Sequence, residues 1–128
     1  SFSKVGLIPD TGGSFHLPRL LGEARAKGLA FTAEPMSAQQ AEDWGLIWKC
    51  IEDGQLTYEA HALVEKLANG PTLGLALTKA AIQASAVNTL SEQLELEAGY
   101  MKTCGESADY AEGVSAFLNK RAPQFKGE

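Results

Sequence analysis

The chain has 128 residues, 45% of them hydrophobic, and a formal net charge of −5. That length normally supplies one domain with enough apolar residues for a core, while the acidic balance argues against a nucleic-acid partner, which needs a basic face. No stretch approaches the roughly 18 apolar residues of a membrane helix, and two cysteines, Cys50 and Cys104, without CxxC spacing read as reduced, structural thiols of a cytoplasmic protein.

Taken in chain order, Phe2 to Ile8 reads as a short strand running into a loop. Pro9 biases Ile8 towards extended backbone. Asp10 reads as the N-cap of a helix kinked or broken at Pro18, since its carboxylate can accept from the free N–H groups of a first turn. Glu23 to Phe31 reads as an Ala-rich second helix. Ser37 with Gln40 has capping-box spacing, and Gly45 is placed to end that third helix. Leu46 to Ile51 is β-rich and predicts a second short strand.

The rest predicts helices. One begins near Thr57, sets Ala60, Leu63, Val64 and Leu67 on one face, and stops at Gly70. Pro71 suits the first turn of the next, which carries Leu73, Leu77, Ala80, Ala81 and Ala84. Thr89 and Glu92 form a capping box ahead of an apolar stripe of Leu90, Leu94 and Met101. A last helix spans about Ala108 to Asn119. The expected fold is therefore mostly α with two short strands. Trp44 and Trp48 are expected in the core. His16 and His61 stand far apart with no second ligand at helical spacing, so no metal site is expected.

Chemically, the segment Gly6-Leu7-Ile8-Pro9-Asp10-Thr11-Gly12-Gly13 is the most informative. It sets one carboxylate at a helix mouth between an apolar approach and two glycines that permit close contact. Asp10 is either a cap or an acid/base group; Gly12 and Gly13 are either turn residues or a substrate-contacting pair. His16 reads as a packing or surface residue and Arg19 as structural. Lys120 and Arg121 suit the C-terminal dipole of the last helix.

Three motifs in order carry a resemblance. The stretch from Ser1 to Gly22, the run Ser37-Ala38, Ala41 and Gly45-Leu46 continuing to Lys49, and the closing run Glu112 to Gly127 together resemble the crotonase (enoyl-CoA hydratase/isomerase) family. Within it they are most similar to the branch that isomerises ring-1,2-epoxyphenylacetyl-CoA in phenylacetate degradation. The resemblance covers essentially the whole sequence. It implies that the chain is the C-terminal helical half of an α/β crotonase (β-spiral) fold. The strand-rich half with the oxyanion hole would then lie outside it, and the fragment alone would be inactive. It also implies a division at about residue 55: an active-site loop with helices before it, and a helical trimerisation region after it. A homo-oligomer, trimer or hexamer, is implied as well.

For the site, the resemblance implies that Asp10 is the catalytic acid/base. Hydratases of the family carry a second carboxylate eight residues earlier, where this sequence has Phe2. Phe2, Gly12, Gly13, Phe117 and Lys120 are the implied substrate-binding residues, the last two at the adenine and phosphate end of coenzyme A. Coenzyme A is part of an acyl-CoA substrate, so no separate cofactor is expected. The expected activity is an acyl-CoA isomerase. A hydratase, a Δ3,Δ2-enoyl-CoA isomerase and a non-catalytic helical assembly module are the alternatives.

Overall fold

A computed structural model describes residues 2–128. The chain divides into two compact units, one through Gln55 and one from Leu56 to Glu128.

The first unit opens with a 3-10 turn, Phe2–Val5, and holds three α-helices: α1 (Gly13–Leu21), α2 (Glu23–Thr32) and α3 (Ala38–Asp43). Gly22, at φ 78°, turns the chain between α1 and α2. Its N–H returns to the Pro18 carbonyl at 3.0 Å and its carbonyl takes the Ala26 N–H at 3.1 Å, so one residue serves both helix ends. Leu21, Ala26 and Ala41 form the buried core of this unit. α1 runs on through Pro18. The Arg19 guanidinium donates to the Phe15 carbonyl at 2.9 Å and stacks 3.4 Å from the Phe15 ring centroid. The α3 N-cap is as expected, with Ser37 Oγ accepting from the Gln40 N–H at 3.1 Å.

Neither expected strand forms; there is no strand among the described residues. An isolated extended segment leaves its backbone groups without a ladder partner. Here those groups close locally instead. Leu7 N–H bonds the Phe2 carbonyl at 3.0 Å and Gly6 N–H that of Ser3 at 3.3 Å, with Gly6 at φ 73° breaking the extension. After α3, the Leu46 and Ile47 N–H groups both turn back to the Ala41 carbonyl, at 2.8 and 3.3 Å, and Cys50 N–H bonds Glu42 Oε2 at 3.1 Å. Three of the donors that a second strand would need, those of Leu46, Ile47 and Cys50, are used in closing α3.

The second unit contains α4 (Leu56–Ala68), α5 (Thr72–Ala84), α6 (Leu90–Gly105) and α7 (Ala108–Leu118). Consecutive helices pack on one another. The α6 capping box is complete: Thr89 N–H donates to Glu92 Oε2 at 2.7 Å, and Glu92 N–H to Thr89 Oγ1 at 3.4 Å. The Thr89 N–H and hydroxyl hold the Glu92 carboxyl below its usual range. Gln93 Nε2 ties α6 to α5 through the Ala81 carbonyl at 3.1 Å. Ser107 caps α7 by accepting from Tyr110 N–H at 3.0 Å.

Large apolar side chains lie open in both units, among them Ile8, Phe31 and Trp48 in the first and Ile82, Leu90, Leu94 and Met101 in the second. Trp48 is 79% exposed, which corrects its expected place in the core. Trp44 is half-buried, with the Arg25 guanidinium 4.9 Å over its ring. No helix among the described residues is long and apolar enough to cross a membrane.

Candidate functional site

In the first unit the candidate residues Phe2, Asp10 and Gly12 precede α1, and Gly13 is its first residue. The helix starts at Gly13 and its N-cap is Gly12, with no side-chain capping bond. Asp10 is therefore not the cap that the sequence predicts. The reason lies in the backbone: Thr11 and Gly12 are both left-handed, at φ 48° and 84°, and two such residues cannot continue a right-handed turn.

Asp10 instead heads the turn. Its carbonyl accepts the Gly13 N–H at 2.8 Å, and its Oδ1 accepts from the Thr11 hydroxyl at 3.3 Å. The side chain is exposed and makes no ion pair among the described residues. Gly12, at φ 84°, is favoured by conformation, and a Cβ there would meet His16 Cδ2 at 3.1 Å, so the exposed ring would have to shift. At Gly13 a Cβ would meet Pro9 Cβ at 3.2 Å. Phe2 is 39% exposed and is tied to the same stretch by the bond its carbonyl accepts from Leu7. A lone carboxylate on a tight turn, flanked by apolar Leu7 and Ile8, can accept and return a proton.

In the second unit, Phe117 and Lys120 sit at the end of α7. Phe117 is 83% exposed and borders an apolar cavity of about 450 Å³ with Leu73, Tyr110, Val114 and Phe125. Lys120 is exposed and left-handed, at φ 51°, and makes no ion pair among the described residues. An aromatic face and an unpaired ammonium suit a ligand that is flat at one point and anionic at another.

Behind them lies a clamp that the sequence does not announce. Arg121 forks onto Glu112, Nη1 to Oε1 at 2.5 Å and Nη2 to Oε2 at 2.7 Å. The Arg121 bonds, with the Gln124 N–H, push the Glu112 carboxyl down to about 2. Asp109, only 5% exposed, accepts from the N–H groups of Lys126 and Gly127 at 2.7 and 2.9 Å. An acidic residue in a first helical turn ordinarily reads as a partner of the helix dipole, so neither its burial nor its tail partners could be seen in the pattern. Among the described residues no group of three or more His, Cys, Asp or Glu side chains is placed to hold a metal ion. Both cysteines are free thiols.

With this geometry in hand, comparison with known proteins is direct. Residues 1–128 match the enoyl-CoA hydratase/isomerase family. The chain is 53% identical over its whole length to a 1,2-epoxyphenylacetyl-CoA isomerase of Escherichia coli (strain K12), covering 49% of that protein. It is 44% identical over 99% of its length to a probable enoyl-CoA hydratase of Rhodobacter capsulatus, again covering 49%. The crystal structure of an enoyl-CoA hydratase from Polaromonas sp. JS666 superposes with a TM-score of 0.90 at 38% identity, over 98% of this chain and 49% of that one. The chain thus spans about half the length of the curated relatives it matches. A profile match over every residue, with helices that superpose on solved relatives, places this chain in the enoyl-CoA hydratase/isomerase, or crotonase, family.

Proposed function

We propose that this chain supplies the acid/base group of an acyl-CoA isomerase, of the kind named for the Escherichia coli relative, 1,2-epoxyphenylacetyl-CoA isomerase. The observation that carries the reading is the solitary Asp10 carboxylate on its left-handed turn, with the phenyl ring of Phe2 eight residues before it. Moving a proton along an acyl group needs one carboxylate that takes it from one carbon and returns it at another. Hydration needs a second group to activate water, and a phenyl ring cannot do so. The ring also helps to keep water from the reacting carbons.

In this reading the thioester oxygen is held by an oxyanion hole from outside these residues, which makes the neighbouring carbon acidic. Asp10 then shuttles the proton or assists opening of an epoxide on the acyl group. Lys120 meets a phosphate of the coenzyme A handle as a point charge, and Phe117 packs on its adenine. Gly12 and Gly13 let the substrate approach the turn closely.

A hydratase is the second reading, favoured by the name of the Rhodobacter capsulatus relative. It requires its second carboxylate from residues outside this chain. The two readings separate in one experiment on the full-length parent protein, in which acyl-CoA isomerisation and crotonyl-CoA hydration are assayed side by side. Isomerisation is expected to be much the faster. Hydration at an equal or higher rate would transfer the assignment to the hydratase.

A further inference from the structure

Two helices of this chain end in the same hydrogen-bonded motif with different residues at its left-handed position. At the end of α3, Leu46 N–H bonds the Ala41 carbonyl at 2.8 Å and Gly45 N–H that of Glu42 at 2.9 Å, with Gly45 at φ 79°. At the end of α7, Arg121 N–H bonds the Ala116 carbonyl at 3.1 Å and Lys120 N–H that of Phe117 at 3.2 Å. The left-handed residue there is Lys120, at φ 51°. The position favours glycine, which has no Cβ to crowd the following carbonyl. Lysine, like Ala33 at φ 51° after α2, takes that conformation without glycine's freedom, and of these two Lys120 carries a charge that a ligand could use.

Directly after it in the chain comes the clamp. Glu112 takes both arms of Arg121 and the Gln124 N–H at 2.8 Å. Asp109, one turn earlier on α7, takes the N–H groups of Lys126 and Gly127. Two carboxylates on one helix face thus bind a guanidinium and three backbone donors from the segment after α7, folding that segment back along the helix. Phe125 of that segment lies 3.5 Å from where a Cβ on Gly113 would stand and shares the apolar cavity with Phe117. The adjacent cation, Arg121, is committed to Glu112, while the Lys120 ammonium is left unpaired among the described residues.

We propose that Glu112, Arg121 and Asp109 are positioning residues for Lys120. They fix its backbone in the left-handed state, which sets the direction of its Cα–Cβ bond and presents the ammonium beside Phe117 to the phosphates of the substrate's nucleotide handle. The inference rests on the assignment of Lys120 to that handle and adds what aims it. A long lysine side chain contributes to binding only after its freedom is lost; a fixed origin reduces the freedom left to lose.

The test uses the full-length enzyme and two thioesters of one acyl group, on coenzyme A and on pantetheine, which carries no phosphate. Glu112→Gln is expected to raise KM for the coenzyme A thioester about five- to tenfold. It should leave kcat and the pantetheine KM unchanged. Lys120→Ala should produce the same split. The double variant should be little worse than Lys120→Ala alone, because the clamp acts through that ammonium. Arg121→Lys keeps the charge and loses the fork; it gives the same split and replaces Glu112→Gln should that variant fail to fold. If Lys120→Ala raises the coenzyme A KM and Glu112→Gln and Arg121→Lys do not, the positioning role is overturned while the handle assignment stands. If Lys120→Ala has no effect, both fall. An equal KM rise on both thioesters would show a general structural role and overturn the proposal.

Discussion

Asp10 and the two residues after it show how much chemistry depends on local backbone. Thr11 is β-branched and left-handed, a combination with a real steric cost, and it turns the carboxylate out of the capping role that its position in the sequence suggests. In the full-length protein, Asp10→Asn keeps the size of the side chain and removes the proton carrier. Turnover is expected to fall about a hundredfold or more, measured as kcat with the fold checked by circular dichroism; near-native turnover would refute the assignment. Gly12→Ala puts a Cβ 3.1 Å from the His16 ring on backbone that disfavours it. A loss of about 1–2 kcal/mol is expected, read as a lower melting temperature, and an unchanged one would show that the turn relaxes freely.

At the level of elements, the start of α6 was legible because its cap is side-chain chemistry written locally. Thr89 with Glu92 specifies the start of α6, and the predicted reciprocal bonds are both made. Thr89→Ala is expected to cost about 1 kcal/mol, measured by denaturant unfolding. The end of α7 was predicted to within a residue, but its left-handed lysine was not. Lys120→Gly relieves that conformation and is expected to stabilise by roughly 0.5–1 kcal/mol while weakening binding of the coenzyme A thioester. A gain in stability with no loss of binding would separate the turn from the ligand. The two expected strands failed for the opposite reason. Their β-rich residues describe what a ladder would accept, and in this chain the ladder partner is replaced by bonds to Phe2, Ser3, Ala41 and Glu42.

Across the whole molecule, two properties follow from charge and surface. The Glu112 carboxyl is pushed down from 4.5 to about 2 by the Arg121 fork and the Gln124 N–H. A depressed carboxylate adds stability above its unfolded value and loses it as pH falls through the folded one. The stability difference between wild type and Glu112→Gln should therefore be full above about pH 5 and vanish towards about pH 2. A difference independent of pH would deny that the ionised pair is its source. The surface makes the second prediction. Leu90, Leu94 and Met101, 55–76% exposed, form an apolar stripe on α6 that water covers poorly. The chain is expected to self-associate at about ten micromolar or above, and a clean monomer by light scattering would contradict this.

Read alone, the residues specified a mainly helical chain, the starts of α3 and α6 and a family resemblance, because caps, helical spacing and motif order are local and survive without a partner. Residue type and position marked Asp10 as a candidate, and the family resemblance marked Phe117 and Lys120. The tertiary structure decided what those residues do with their backbones. It put Asp10 ahead of a left-handed turn instead of on a helix cap. It turned the strand-like segments back onto their neighbours, and it joined Asp109 and Glu112 to a tail up to eighteen residues away. These outcomes depend on which donor meets which acceptor across a turn, and no spacing rule within one element contains that information.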